Sequence, residues 1–217
     1  MSADYHLTGV ESAVLELIGT PRYRSLSRAN PLSTRVIADL YAGGVTAPVV
    51  AEIGVGIGAT SLAIARALGN RGELHLFDFE ATLQALRRDL VAEGFTNIHA
   101  HPNSERHWDS YTWTLGRMIL GGMGPTFDYI YLDGAHTFAI DGLAFLLCDR
   151  LLKPSGFVEF NGYRETFAAS KRMVRTRDHL MTAEQLATPQ VAMVVDLFVR
   201  DNPGYVPVIA TRLFRKR

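Results

Sequence analysis

The sequence predicts an α/β protein: a doubly wound, mostly parallel sheet with helices on both faces. Two observations predict it. Short apolar runs bounded by Gly, Asp or Asn alternate with longer amphipathic stretches, the pattern of strands covered by crossover helices. At 217 residues the chain is long enough for one well-buried core and short for two, and neither an internal repeat nor a low-complexity tract interrupts it.

The elements follow in order. Two helices, 10–19 and 31–44, each end at glycine, so residues 1–45 read as a helical extension ahead of a single larger domain, 46–217. Candidate strands are 47–54, 73–78, 97–101, 127–133 and 156–162. Helices are expected between them at 61–69, 81–94, 110–120 and 139–152. A polar, basic connector (164–180) leads to a helix within 182–205, and the tail 205–217 reads as strand again. The apolar run PQVAMVVDLFV in that late helix predicts a buried element or a homodimer contact with a second copy. An excursion this long after the fifth strand is where a substrate-covering segment is expected.

Composition excludes several classes. Apolar residues make up 47% and charged residues 20%, as in an ordinary globular protein. Lys plus Arg and Asp plus Glu number 22 each, and the pI is about 7.1, so no broad positive field is offered to a nucleic acid. The basic cluster Lys171, Arg172, Arg175 and Arg177 and the terminal Arg215-Lys216-Arg217 read as solvated surface, with contact to an anionic substrate the alternative for the first. The start MSADYHLTGV lacks a secretory pattern, and no apolar run approaches the roughly 20 residues that span a bilayer. A lone Cys148 fits a reducing compartment, and a cytoplasmic location with no membrane partner is expected.

The most specific segment is VVAEIGVGIGATS (49–61): an apolar strand with Glu52, then Gly54, Gly56 and Gly58, then a helix start with free N–H groups. Its spacing also satisfies the loose dinucleotide pattern, which leaves an NAD(P)-dependent oxidoreductase open. Glu52 weighs against that, because a carboxylate at the strand mouth repels a pyrophosphate and suits an ammonium group. The second strand ends in LFDFE, where Asp78 is placed to take two ribose hydroxyls.

Together these residues resemble the class I S-adenosylmethionine-dependent methyltransferases over roughly residues 30–163. The resemblance implies a Rossmann-like, seven-stranded sheet with S-adenosylmethionine as cofactor. By position it puts Glu52, Gly54, Gly56, Gly58 and Thr60 around the methionine part, Asp78 on the ribose, and Asn103 and Ser104 beside the adenine.

The fourth strand ends in YLDGAHT, which places Asp133 and His136 at the same crevice. Methyl transfer needs its acceptor held in line and deprotonated, and an imidazole suits a hydroxyl. The run YLDGAHTFAIDGLAFLLCDRLLKPSG resembles the small-molecule O-methyltransferases related to macrocin O-methyltransferase and, more distantly, catechol O-methyltransferase. That resemblance implies His136 as general base, Asp133 as orienting group or metal ligand, and a small hydroxylated acceptor from specialised metabolism. It also implies Mg2+ on Asp133 and the residue at the fifth strand's end, but FVEFNGY offers Asn161 and Gly162 where the family has an acidic pair. One carboxylate plus one amide is a poor site for a hard cation. The missing pair keeps open a protein that binds the cofactor but has lost or altered the transfer.

Three further features read as structural. Glu159 is expected to pair with a basic side chain in or near the core. His99 and His101 alternate onto one face of the third strand, a spacing a metal could use, but no nearby Cys or carboxylate completes a set, and the pair reads as a polar sheet edge. Tyr111, Trp113 and Tyr163 are candidates for an aromatic acceptor pocket, though packing is the commoner role.

Overall fold

A computed structural model describes residues 14–24, 26–106, 108–170 and 180–217. Helix α1 (Pro31–Ala42) precedes β1 (Val49–Ile53), α2 (Ala59–Leu68), β2 (Glu73–Phe79), α3 (Glu80–Ala92), β3 (Ile98–Asn103), α4 (Tyr111–Leu120), β4 (Phe127–Leu132), α5 (Phe138–Leu151) and β5 (Leu152–Phe160). After these come α6 (Ala183–Ala187), α7 (Gln190–Phe198), β6 (Tyr205–Ile209) and β7 (Leu213–Lys216). The sheet has seven strands in the order β3-β2-β1-β4-β5-β7-β6. The first five pair in parallel, and β7 runs antiparallel to both β5 and β6.

The sheet is doubly wound because its strands are apolar on both sides. Along β1, Ala51 and Ile53 join Phe77, Phe127, Phe145 and Val194 in one core. Val50 points the other way, with Ile37, Ile64, Leu74 and Leu86. Each fully buried Val, Leu, Ile or Phe among them stabilises the fold by about 1.5–3 kcal/mol. Strand order reverses between β1 and β4, which opens a crevice at their carboxyl ends.

Three sequence expectations change. The first helix is a 3-10 turn, Val14–Leu17, in its described part, and residues 10–13 lie outside the described residues. The long late helix is two, because Pro189 cannot donate an N–H and holds Thr188 in an extended conformation (φ −89°, ψ 133°). The tail is a hairpin whose turn contains Thr211 at φ 68°. The basic cluster at Lys171, Arg172, Arg175 and Arg177 falls outside the described residues.

Glu159 is fully buried and ion-paired, as expected of it. Its carboxylate accepts from Arg212 Nε at 2.9 Å, Asn30 Nδ2 at 2.8 Å and the Tyr129 hydroxyl at 2.5 Å. Arg212 also donates to Asn30 Oδ1 at 2.8 Å. One buried carboxylate thus joins the stretch before α1, the centre of the sheet and the terminal hairpin. Helix α7 packs on α5 and buries Val191, Val194 and Val195. Among the described residues no helix is long and apolar enough to cross a membrane.

Candidate active site

The glycine loop and the fourth strand end are built against each other. Gly54 has φ +86°, and a Cβ there would stand 2.2 Å from the Asp133 carbonyl oxygen. Only glycine lets β1 and β4 end this close. Asp133 N–H in turn donates to the Ile53 carbonyl at 2.9 Å. Gly56 lies exposed in the loop, and Gly58 starts α2 with no side-chain cap, so the first N–H groups of that helix remain for a ligand. Thr60 Oγ1 accepts from Asn30 N–H at 3.0 Å, which ties the loop to the residues before α1.

Three carboxyls converge on the loop. Glu52 is 1% exposed and accepts from Ser61 Oγ at 2.6 Å. Burial pushes its carboxyl well above the ordinary range, and the charges of Asp133 and Asp78 add to that in spite of the Ser61 hydrogen bond. Asp78 Oδ2 accepts from Val55 N–H at 2.8 Å and Oδ1 from Phe79 N–H at 2.7 Å. A carboxylate oxygen retains a second lone pair beyond each bond, so Asp78 can order the loop and still meet hydroxyls. Mutual repulsion among three acids is relieved by a cationic ligand and worsened by a pyrophosphate.

On the far side of Asp78, a cleft of about 330 Å³ is lined by Phe79, Ala81, Gln84, Asn103 and Ser104. Asn103 is 5% exposed, and its Oδ1 is buried with no hydrogen-bond partner. Such an orphan costs stability unless a ligand donates to it, and the exocyclic amine of adenine is a donor of that kind. Ser104 is differently engaged: its N–H and Oγ both donate to Asp109 Oδ2, at 2.7 and 2.6 Å.

At the end of β4, Asp133 and His136 form a dyad with His136 Nε2 2.9 Å from Asp133 Oδ1. Asn161 Nδ2 donates to the same oxygen at 2.7 Å, and the Tyr131 hydroxyl donates to Oδ2 at 3.0 Å. On its other edge, His136 Nδ1 lies 3.5 Å from the exposed Glu165 carboxylate. Burial would lower the imidazole, but hydrogen bonding to Asp133 and Glu165, with the charges of Asp133 and Asp141, pushes it up to about 10. Burial likewise would raise Asp133, and donation from His136, Asn161 and Tyr131 holds it below its usual value. The resting dyad is an imidazolium–carboxylate pair.

The turn that presents this pair is clamped from below. Tyr111 OH donates to the buried Asp141 Oδ1 and accepts from Ala135 N–H at 2.9 Å. His136 itself sits at φ 57°, a conformation that costs a non-glycine residue about 1–2 kcal/mol and persists only where surroundings enforce it. Gly162 leaves room for the ring: a Cβ there would stand 2.7 Å from His136 Nδ1 and 2.8 Å from Cε1.

Asp133 and Asn161 do not fit a hard divalent cation. Asn161 turns its NH2 group, not its oxygen, toward Asp133, and all three donors on the Asp133 carboxylate are N–H or O–H groups. Its charge is answered by an imidazolium. Mg2+ asks instead for several oxygens in an octahedron.

The structure therefore brings Glu52, Gly54, Gly56, Gly58, Thr60, Asp78, Asn103, Ser104, Asp133, His136 and Asn161 to one edge of the sheet. Of the aromatic candidates, Tyr111 is the buried clamp, Trp113 is 66% exposed, and Tyr163 donates to Asp196 at 2.9 Å. Glu165 and Asp141 were missed from sequence. Asp141 stood in the quoted LDGAHTFAID run, one helical turn into α5, where a buried acid calls for a partner.

Residues 51–163, just over half of the chain, match the family model described as "Methyltransferase domain". No curated protein sequence matches the chain. Among solved structures, the O-methyltransferase from Bacillus cereus in complex with SAH superposes with a TM-score of 0.65 at 13% identity, covering 94% of this chain and 89% of that one. SAH-bound methyltransferase PaMTH1 from Podospora anserina gives 0.56 at 15%, covering 94% and 85%. The O-methyltransferase TomG from Streptomyces achromogenes, involved in tomaymycin synthesis and in complex with SAM, gives 0.51 at 22%, covering 69% and 65%. The chain belongs to the methyltransferase-domain family and has the Rossmann-like fold of the class I S-adenosylmethionine-dependent methyltransferases.

Proposed function

We propose that the protein transfers a methyl group from S-adenosylmethionine to a hydroxyl of a small molecule. The observation that supports this reading best is the close approach of Gly54 to the Asp133 carbonyl: the Asp133–His136 pair adjoins the glycine loop to which this reading gives the donor. When bound, the cofactor supplies its sulfonium methyl to an in-line nucleophile. The first N–H groups of α2 and Glu52 hold the methionine part, Asp78 the ribose, and Asn103 Oδ1 the adenine amine; Ser104 holds the loop through Asp109.

His136 in its neutral form, with Nδ1 unprotonated, is the base for the acceptor hydroxyl, and Asp133 fixes its orientation by accepting from Nε2–H. Nδ1 is the edge that meets substrate, in the place where the exposed Glu165 stands now. A phenol, which ordinarily ionises at about 10, gives up its proton to an imidazole far more readily than an alcohol does. Phenolic acceptors are therefore favoured over sugars. The acceptor is taken to be small because the even charge balance gives no phosphate-binding footprint. Leu143 and Leu146 on α5 and Leu197 on α7 are exposed and are the surface assigned to a homodimer, which sedimentation velocity tests.

One second reading has an observation behind it. The closed Asp133–His136–Glu165 array is what a protein that binds the cofactor without transferring would keep. Calorimetric titration with S-adenosylmethionine and NAD, followed by labelled-methyl transfer to a panel of phenols and sugars, separates the cases. We expect S-adenosylmethionine binding and phenol methylation that His136→Ala abolishes. Binding of NAD alone would end the reading, and cofactor binding without transfer to any acceptor would favour the second.

A further inference from the structure

A second cluster of ligating side chains lies away from the methyl-donor crevice, on the flank formed by β2 and the edge strand β3. Parallel register sets His75 opposite His99 and Phe77 opposite His101, and Glu73 shares a strand face with His75 because side chains alternate. Glu73, His75 and His99 each offer one donor atom, all within 4.8 Å of one another. From this geometry we infer that Glu73, His75 and His99 form a binding site for one divalent transition-metal ion of the zinc class, with a fourth position open to water.

The spacing is what such an ion requires. Bonds of about 2.0–2.1 Å in a tetrahedron put neighbouring donor atoms roughly 3.3–3.4 Å apart. Glu73 Oε2 stands 3.3 Å from His75 Nε2 and 3.6 Å from His99 Nε2, so two sides of the triangle already have that length within a few tenths of an ångström, and the third is within 4.8 Å. Two imidazoles and one carboxylate suit Zn2+, Co2+ or Ni2+ and are too nitrogen-rich for Mg2+ or Ca2+.

The surroundings complete the site. His75 is 7% exposed, and its other ring nitrogen, Nδ1, lies 2.8 Å from His101 Nε2. With Nε2 given to a metal, Nδ1–H donates to His101, the outer hydrogen bond that fixes a ligating histidine's tautomer and orientation. The His75 ring stacks on His99 at 4.6 Å, which holds both ligating rings side by side, and lies nearly coplanar with His101 (6°), as their hydrogen bond requires. Glu73 and His99 have about half their side-chain surface open (53% and 47%), giving an ion a way in. His75 precedes Asp78 by three positions, about 10 Å along the strand, so this site pins the edge strand to its neighbour without entering the crevice.

The test uses the tag-free full-length chain stripped with chelator and titrated with Zn2+ by calorimetry and with Co2+ by visible absorption. The expected result is one equivalent bound, a d–d band of tetrahedral intensity, and no competition from excess Mg2+. His99→Ala and Glu73→Gln alter exposed side chains and should each weaken Zn2+ at least about tenfold, while His101→Phe, which removes only the outer hydrogen bond, costs about 10–100-fold. The double variant Asp133→Asn, His136→Ala should bind as the parent does. Absence of stoichiometric binding, or binding unchanged in both His99→Ala and Glu73→Gln, overturns the proposal, as does loss of the ion in the Asp133, His136 variant.

Discussion

Raising the pH should remove a definite share of stability through His136. The imidazole ordinarily titrates near 6.5, and in the folded chain it is pushed up to about 10. A group whose folded value is raised contributes stability that is complete below its unfolded value and is lost as pH climbs through the folded one. The gap corresponds to roughly 4–5 kcal/mol at most. Solvent reaches 23% of the His136 side chain, and screening and desolvation reduce this to roughly 2–4 kcal/mol. The depressed value of Asp133 belongs to the same ion pair and is counted once. Urea unfolding of the parent and of His136→Gln, from about pH 7 to about pH 10.5, isolates the effect, because other high-pH ionisations are common to both proteins. The stability difference between the two should shrink by that amount across the window. Parallel loss in parent and variant, or an imidazole NMR titration centred near 6.5, would refute the ion-pair account and with it the assignment of a strongly basic His136.

Turnover should follow the same group in the opposite sense: kcat/KM for a phenol rises about tenfold per pH unit toward the value of His136, and a flat profile from neutral to alkaline pH excludes His136 as base. EDTA and Mg2+ should leave the transfer rate unchanged, since Asp133 and Asn161 do not fit a cation; full loss on chelation restored by Mg2+ contradicts this. Gly54→Ala places a Cβ 2.2 Å from the Asp133 carbonyl, so we expect loss of cofactor binding and at least about 2–3 kcal/mol of stability, read by calorimetry and urea unfolding. Arg212→Ala leaves the fully buried Glu159 without its cation and should cost about 3–5 kcal/mol; a variant as stable as the parent would show that the network of Asn30, Glu159 and Arg212 does not anchor the terminal hairpin. Gly162→Ala, aimed at the His136 ring, should lower kcat with cofactor affinity kept, and unchanged kcat would show that the ring does not need that space.

Legibility in the sequence divides along a physical line. The parallel strands, the glycine loop, Asp78 and the Asp133–His136 pair were legible because each is local: period, turn chemistry and a strand's end are set by residues within a few positions. The buried ion pair of Glu159 was expected in kind, yet its partner Arg212 stands 53 positions away and could be named only from the folded chain. The same holds for Tyr111 and Asp141, which clamp the turn from two different helices. For His99 and His101, the sequence showed the spacing but no completing ligand. Glu73 and His75 supply it because register is a property of two strands at once, and no single stretch of chain states it.

The departure at Asn161 and Gly162 acquires a meaning it lacked as a pair of letters. Read alone, it is the loss of two carboxylates from a metal site. In the folded chain Asn161 donates to Asp133, Gly162 leaves room for the His136 ring, and that ring carries the positive charge which a divalent ion would otherwise bring to the Asp133 carboxylate. An acidic residue at 161 would repel Asp133, and any side chain at 162 would evict the imidazole. The three positions 136, 161 and 162 thus make one arrangement, in which a protonatable organic cation stands at the acceptor end of the crevice. Unlike a metal, it can lose its Nδ1 proton, and only that neutral ring has a lone pair to offer, so the group that balances the acidic crevice when protonated takes the hydroxyl's proton once it is deprotonated and a phenol has displaced Glu165.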